Sequence, residues 1–334
     1  MKLLTALLLT TLSLNMARAR DATPAAGDFP QAEISNGSIH AKLYLPNSEH
    51  GYYRGVRFDW SGVIPSLEYQ GHNYFGQWFP HYAPTLHDAI MGPVEEFRSD
   101  DGGLGYAEAK AGGTFVKIGV GVLRKPNDSA YNFAYPYEIV KLGKWTVQQR
   151  RDRVEFTQKL TDASGYGYTY KKTVRLAKGK PELILEHSLK NTGRRTIETS
   201  VYDHDFFVID GRPTGPDFVV KFPFTPKATQ DLKFAEIRGK ELAYLQVLSK
   251  GETAASYLEG YGQNASDNDI RVENRKTGAG VREIGDHPLS KLYLWSIRTT
   301  VCPEAYIDMK IEPGHESRWR VSYQFYTIPE SGGK

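Results

Sequence analysis

The sequence has almost no cysteine: Cys302 is the only one among 334 residues. A single cysteine cannot form an intramolecular disulfide, so the stability of the fold must come from a large hydrophobic core. Cys302 itself lies in an apolar, strand-like run, which favours a small buried hydrophobic residue over a nucleophile. An excess of charge is missing as well, because 42 basic residues stand against 39 acidic ones. This balance excludes nucleic acid as an expected partner.

Long apolar runs are also missing. No stretch approaches the ~18 unbroken apolar residues of a membrane-spanning helix, so we expect no membrane span. The short apolar run at residues 3–14 follows Lys2 and precedes a small-residue cleavage pattern that ends at Ala19, as in an export signal. We therefore expect residues 1–19 to be a signal peptide, residues 20–334 to form one continuous domain, and the protein to be periplasmic or secreted.

Helical periodicity is nearly absent, and the sequence alternates instead between apolar and polar residues. This period of two is the pattern of β-strands. Turn residues recur at roughly 8–12 residue spacing, which is typical of an antiparallel sandwich or barrel. We therefore predict an all-β fold. The clearest predicted strands are residues 114–123, 153–160, 166–176, 182–189 and 195–202.

Residues 52–97 are dense in aromatic residues and histidines. Binding sites for sugars combine aromatic surfaces, which stack on C–H faces, with polar groups for the hydroxyls. Trp78 and Tyr82 lie in an irregular segment with Gly and Pro, so we predict that both are exposed and bind a sugar. His81 or His87 would then reach a hydroxyl. The alternative for any one of these rings is packing in the core, because a sandwich of this size needs aromatic residues there.

A carboxylate and an imidazole lie in two later strand-like runs. Glu304 follows Pro303, which is typical of a strand start or a bulge, where a side chain can be directed toward a site. His204 lies about a hundred residues earlier in the run 202–211. We predict that the two side chains face one cleft, since general acid–base catalysis needs two groups with pKa values near the working pH.

The period of two also predicts the neighbours of this pair. If His204 faces the cleft, Phe206 shares its face, and Asp203 and Asp205 point to the opposite one. By the same rule, Tyr306 and Asp308 would share the face of Glu304.

Several of these stretches together resemble the galactose mutarotase-like superfamily, which contains the aldose 1-epimerases. The resemblance covers most of residues 20–334. Residues 58–74 resemble the early hairpin of the family, and 187–193 its Asn-Thr-Gly turn. The run 202–211 resembles the strand with the catalytic histidine. Residues 302–304, followed by Glu312-Pro313-Gly314, resemble the strand with the catalytic glutamate and its turn.

This resemblance implies a twisted antiparallel super-sandwich with its site on one concave sheet. It also implies a mechanism in which Glu304 takes the proton of the anomeric hydroxyl and His204 protonates the ring oxygen, with no metal or organic cofactor. The epimerases have a His-Gly-Gly segment that this sequence lacks, and His81 and His87 are the candidates to replace its histidine. Candidates to bind the other sugar hydroxyls are Glu95, Glu96 and Arg98.

Other functions remain open on the same scaffold. A glycoside hydrolase would need two carboxylates in the site, and Glu95 or Glu96 could accompany Glu304. A polysaccharide lyase or a non-catalytic carbohydrate-binding protein are further alternatives. The spacing of His81 and His87 matches no short zinc motif, so we expect no metal. An epimerase should hold Glu304 and His204 across a pocket about one sugar wide.

Overall fold

The computed structural model of the protein describes residues 29–99 and 102–328. The expected signal peptide lies outside the described residues. Within them the only helical segments are two short 3-10 turns, η1 (Ile209–Gly211) and η2 (Ala265–Asp267), and no helix is long and apolar enough to cross a membrane. All other regular structure is β-strand, which confirms the predicted all-β fold.

The strands follow one another along the chain, and the longest connections lie in its first half, between β2 and β3 and between β4 and β5. The first twelve are β1 (Gln31–Ser35), β2 (Ile39–Tyr44), β3 (Val63–Tyr69), β4 (His72–Asn73), β5 (Val94–Arg98), β6 (Thr114–Lys117), β7 (Gly121–Arg124), β8 (Ile139–Leu142), β9 (Lys144–Gln149), β10 (Arg153–Thr161), β11 (Gly167–Leu176) and β12 (Glu182–Asn191). The others are β13 (Ile197–His204), β14 (Phe218–Lys221), β15 (Lys227–Ala228), β16 (Ala235–Arg238), β17 (Glu241–Tyr244), β18 (Thr253–Glu259), β19 (Asp269–Asn274), β20 (Ala279–Gly285), β21 (Lys291–Ile297), β22 (Thr300–Ile311) and β23 (Glu316–Thr327).

Two large antiparallel sheets dominate the architecture. One has ten strands in the order β16-β17-β14-β19-β20-β23-β12-β11-β10-β9, and the other has six in the order β15-β18-β21-β22-β13-β5. Smaller sheets are formed by β1 to β4 and by β6 to β8. An apolar core lies between the two large sheets, with Leu185 and Phe325 from the larger one and Leu294 and Val301 from the smaller one. This is a sandwich, one of the two architectures that the alternation indicated and the one that the resemblance implied.

The predicted strand at 114–123 is wrong in one respect, because the structure divides it into β6 and β7. The chain turns at Gly119, whose φ is +83°. A Cβ there would lie 2.7 Å from the Cβ of Asp59, so only glycine fits this turn. The period of two continues through the turn in the sequence, and for this reason the alternation alone does not reveal it.

The outer face of the six-stranded sheet is covered by a second cluster of aromatic residues from the early part of the chain. Phe58, Trp60 and Trp78 pack there against Phe206 and Cys302 of the sheet. Cys302 is fully buried, as expected, and its sulfur accepts a hydrogen bond from the backbone N–H of Phe206 at 3.2 Å. Burial raises the pKa of this thiol well above its usual value. The aromatic-rich region therefore lies mainly in a core.

Three carboxyl groups are buried between the two large sheets. The hydroxyl oxygen of Tyr323 lies 2.7 Å from Asp203 Oδ2 and 2.8 Å from Asp205 Oδ1, within hydrogen-bond distance of both. Burial, together with the negative charge of Asp203, raises the pKa of Glu283 to about 8. Burial also raises the pKa of Asp203 to about 6 and that of Asp205 well above its usual value. At neutral pH this cluster therefore holds protons that the same groups release in the unfolded chain.

We expect the free energy of unfolding to fall as the pH rises from about 5 to about 9. The folded-state pKa values lie above the value of about 4 in unfolded chains, so the folded protein binds more protons than the unfolded one. The stabilisation is complete below about pH 4 and is lost as the pH rises through about 6 and then about 8. We expect a loss of at least ~2 kcal/mol in the free energy of unfolding, measured by urea titration at each pH.

The matched variant for this test is Glu283→Gln, which keeps the shape of the side chain and removes its titration. Its stability should depend less on pH over the same range. A variant as pH-sensitive as the wild type would show that these carboxyl groups are not the cause.

Candidate active site

His204 and Glu304 lie side by side on neighbouring strands of the six-stranded sheet. The register that β13 and β22 share at Val201 and Ile307, continued by three residues, places His204 opposite Glu304. His204 Nε2 is 3.3 Å from Glu304 Oε1, and each side chain is only 5% exposed. The two groups do face each other, but the expected gap of one sugar's width is closed, because opposite residues of an antiparallel pair lie within about 5.5 Å.

The surroundings of this pair set its protonation. Burial raises the pKa of Glu304 to about 7, and burial lowers the pKa of His204 well below its usual value. The hydroxyl of Tyr306 donates to Glu304 Oε2 at 2.7 Å, which confirms that these two side chains share a face. At pH values somewhat below 7 the pair therefore carries one proton and no net charge.

A column of stacked rings supports His204 from below. The ring of Phe206 is parallel to the imidazole at 3.8 Å between centroids, and Trp78 stacks on Phe206 at 4.5 Å. Phe206 has a φ of +46°, a strained conformation for a bulky residue that costs about 1–3 kcal/mol. It is the second residue after the end of β13, where it turns its ring onto the same face as His204. Phe206 is on the predicted side of the sheet, and Asp203 and Asp205 are on the other.

A buried charged cluster lies beside the pair. Arg57 Nε donates to Glu96 Oε2 at 2.8 Å, and the hydroxyl of Tyr202 donates to the same oxygen at 2.5 Å. Lys117 Nζ lies 3.4 Å from the other oxygen. Burial raises the pKa of Glu96, but the charges of Arg57 and Lys117 outweigh it and hold this pKa well below its usual range. Glu96 is therefore ionised, and it fixes Arg57 and Tyr202 in place.

This cluster is in contact with the pair through aromatic rings. Tyr202 stacks on Tyr306 at 4.1 Å, and Tyr306 bonds Glu304. The guanidinium of Arg57 lies between the rings of Phe58 and Phe133, 4.5 Å and 4.4 Å from their centroids. Stacked in this way, Arg57 has a fixed position at the boundary between the buried pair and the surface.

Of the two early histidines, His87 is the one that the structure connects to this cluster. Its Nε2 lies 3.1 Å from Asp88, and Asp88 forms an ion pair with Arg57. His87 is half-buried, and its ring contacts that of Phe133 edge-on at 5.8 Å. His81 is exposed. The geometry therefore favours His87 over His81 as a residue at the mouth of the site.

The prediction that Trp78 and Tyr82 are exposed is wrong. Trp78 is 7% exposed, and its indole N–H donates to the carbonyl of Ile90 at 2.9 Å. Tyr82 stacks on Tyr52 at 4.6 Å and donates its hydroxyl to the Tyr52 carbonyl at 2.6 Å. The segment is irregular in backbone, as predicted, but an irregular backbone can still pack its large rings into a core. Trp78 is a core ring, and Tyr82 is half-buried with one face covered by Tyr52.

Glu95 is also wrongly predicted as a sugar ligand. It points to the opposite face of β5 from Glu96, as the alternation of a strand requires. There it is fully buried, 2.5 Å from Lys172 Nζ and 2.7 Å from His187 Nε2, both on the ten-stranded sheet. Glu96 lies on the correct face but is fully buried and has its oxygens bonded within the protein. Both carboxylates form buried ion pairs with neighbouring elements of the fold.

Arg98, the last residue of β5, lines a groove of about 1020 Å³. The groove runs along the ends of β13 and β22, past Ser200 and Asp308. Neither His204 nor Glu304 lines it. The groove is therefore separate from the pair His204 and Glu304, and the role of Arg98 toward a sugar stays a prediction.

Three residues of the buried cluster are not among the site residues predicted from the sequence: Arg57, Lys117 and Tyr202. A signal was present for the first two, since each is a charged residue between apolar neighbours in the sequence. A charge in such a position needs a buried partner of opposite sign. The partner, Glu96, was named, but as a ligand for sugar.

Comparison with known proteins supports the fold. No protein-family model matches the sequence, and no curated protein matches it. Solved structures do. A galactose mutarotase-like protein from Clostridium acetobutylicum is similar, with a TM-score of 0.56 and 16% identity over 90% of this chain and 99% of that one. A galactose mutarotase related enzyme from Lactobacillus acidophilus is also similar, with a TM-score of 0.54 and 14% identity over 90% of this chain and 99% of that one.

A third similar structure is an aldose epimerase homologue from Caenorhabditis elegans, with a TM-score of 0.54 and 12% identity over 89% of this chain and 99% of that one. These likenesses extend over almost the whole length of each protein. The chain therefore has the galactose mutarotase-like β-sandwich fold, as the sequence resemblance implied.

Proposed function

We propose that the protein is an aldose 1-epimerase-like enzyme that interconverts the anomers of a reducing sugar. The observation that carries this proposal is the pair His204 and Glu304: an imidazole and a carboxyl group of pKa about 7, with 3.3 Å between them on one face of the sheet. Opening a cyclic hemiacetal needs one group that takes a proton and another that gives one. The expected export signal suggests that the enzyme works outside the cytoplasm.

The reaction consists of two coupled proton transfers. Glu304 takes the proton of the anomeric hydroxyl while His204 gives a proton to the ring oxygen, and the bond between C1 and the ring oxygen breaks. The product is the open-chain aldehyde. Rotation about the C1–C2 bond and closure by the reverse transfers gives the other anomer, and the pair ends with the single proton with which it began.

The protonation state of the pair suits this cycle. A neutral carboxyl beside a neutral imidazole and a carboxylate beside an imidazolium contain the same single proton, so one can convert into the other without exchange with water. Titration then belongs to the pair as a unit. The pair loses its only proton as the pH rises above about 7, the pKa of Glu304.

A sugar must separate the two side chains to react between them. Separating a buried ion pair leaves uncompensated charge and costs several kcal/mol. The neutral form of the pair avoids this penalty, because neither group is charged when the contact opens. The absence of charge on either group in this form therefore favours substrate entry.

The alternative of glycoside hydrolysis lacks support from the predicted carboxylates. Hydrolysis needs a second carboxyl group about 5–9 Å from the first and free to act on the substrate. Glu95 is on the opposite face of the sheet, and Glu96 is held by Arg57, Tyr202 and Lys117. The geometry therefore favours the epimerase over the hydrolase.

The direct test is anomer exchange in freshly dissolved α-glucose, α-galactose and their disaccharides, followed by polarimetry or NMR. Wild-type protein should accelerate exchange, and His204→Asn should reduce the acceleration by at least ~10²-fold, because the ring oxygen loses its proton donor. Tyr135→Ala, at an exposed ring between β7 and β8, is the control for a surface change. Wild-type protein without effect on any of these sugars would contradict the proposal.

A further inference from the structure

Two tyrosines extend the row of the catalytic pair across the sheet. In the register of β21 and β22, Tyr293 is opposite Glu304. In the register of β18 and β21, Tyr257 is opposite Tyr293. Opposite residues of antiparallel strands point to the same face. Tyr257, Tyr293, Glu304 and His204 therefore form one row at right angles to the strands, on the face that holds the pair.

The outer end of this row is open. Tyr257 is 42% exposed, and Tyr293 is half-buried. Their ring centroids are 4.7 Å apart with 49° between the planes, so the two rings are in contact and tilted relative to each other. In the described part of the chain neither hydroxyl has a hydrogen-bond partner. Tyr202, Tyr306 and Phe206 on the same face are buried.

The position of the two rings relative to Glu304 can be estimated from the sheet. Neighbouring strands lie about 4.8 Å apart, so the backbone of Tyr293 is one strand from Glu304 and that of Tyr257 is two, or about 10 Å. Burial, together with the negative charge of Glu304, raises the pKa of Tyr293, in agreement with this proximity. A second sugar unit attached to one at Glu304 would reach these rings.

We propose that Tyr257 and Tyr293 form a stacking platform for the second sugar unit of an oligosaccharide whose reducing end reacts at His204 and Glu304. This inference rests on the proposed function and specifies its substrate class: a reducing disaccharide or longer chain, in preference to a free monosaccharide. The ring faces bind the C–H face of the second unit, and the free hydroxyls bind its polar edge.

The platform also replaces the one that the sequence suggested. Trp78 and Tyr82 come from an irregular segment but pack inward, whereas Tyr257 and Tyr293 come from regular strands and face outward. The two rings pack against each other as a cross-strand pair, and Tyr257 still leaves part of its ring open to a ligand. The continuity of these rings with the acid–base pair supports binding of a substrate.

The test compares disaccharides with a free reducing end (lactose, maltose and cellobiose) against glucose and galactose in the exchange assay. In Tyr257→Ala the preference for disaccharide, measured as the ratio of kcat/KM values, should fall about tenfold, which equals about 1.4 kcal/mol. Tyr257→Phe keeps the ring and should keep most of the preference. Tyr135→Ala removes an equally exposed ring outside this row and should leave the ratio unchanged.

A second measurement separates this inference from the proposed function. Binding of the same disaccharides to a Glu304→Gln protein, measured by calorimetry, should weaken about tenfold when Tyr257→Ala is added. If wild-type protein exchanges no anomers but this loss of binding occurs, the platform stands and the enzymatic proposal fails. Equal preference and equal binding with and without Tyr257 would overturn the platform. A change of oligomeric state in Tyr257→Ala would also overturn it, since the rings would then belong to an interface between subunits.

Discussion

The variant Glu304→Gln is expected to lose at least ~10²-fold in the rate of anomer exchange, and up to ~10⁴-fold. Glutamine keeps the shape of the side chain, and its carbonyl oxygen can still accept the hydrogen bond from Tyr306. It has no carboxylate to take the proton of the anomeric hydroxyl. The loss should therefore appear in kcat, with little change in KM, when exchange is measured by NMR over a range of sugar concentrations.

The pH profile of the wild type provides the second half of this prediction. A pair with one proton can both accept and donate, so the rate should fall as the pH rises above about 7, where Glu304 releases that proton. It should fall again only at acidic pH, because burial lowers the pKa of His204 well below its usual value. A rate that keeps rising through pH 8 would show that the carboxylate acts alone and that His204 is not its partner.

The variant Trp78→Ala is expected to lose about 3–5 kcal/mol of stability, the usual range for removing a large buried ring. Trp78 is 7% exposed, stacks on Phe206 and contacts Trp295 at 5.6 Å between centroids. It therefore carries the column of rings on which His204 rests. Urea unfolding of the wild type and the variant measures the difference in the free energy of unfolding.

The control is Trp78→Phe, which keeps an aromatic ring in the column and should lose much less. If Trp78→Ala unfolds at the wild-type urea concentration but binds sugar poorly, the ring is a ligand-binding group and not a core residue.

The fold was predictable because burial on one face imposes alternation on nearly every strand. The predicted segments at 153–160, 166–176 and 182–189 agree with β10, β11 and β12 to within two residues at either end. The division of β6 from β7 was not predictable in the same way. It depends on a backbone conformation at Gly119 that the alternation does not record.

Those features of the site that depend on a single strand were predictable from the sequence. Which neighbours share the face of His204 or Glu304 follows from the period of two, and Phe206, Tyr306 and the two aspartates confirm it. The distance between His204 and Glu304 depends on which strands are neighbours, and the sequence does not give that order. The location of Trp78 depends on how a whole segment folds over the sheet. For the same reason Tyr257 and Tyr293 could not be connected to Glu304 before the strand order was known.

The near absence of cysteine gives the protein a built-in reporter. Cys302 lies two residues before Glu304 on the same strand face, beneath Phe206 and the early aromatic segment. A thiol reagent can reach this sulfur only when those rings move aside, and the sequence contains no other sulfhydryl that would react in its place. The labelling rate of Cys302 in the unmodified protein therefore measures how often these rings open locally. A sugar that keeps the rings in place would lower this rate.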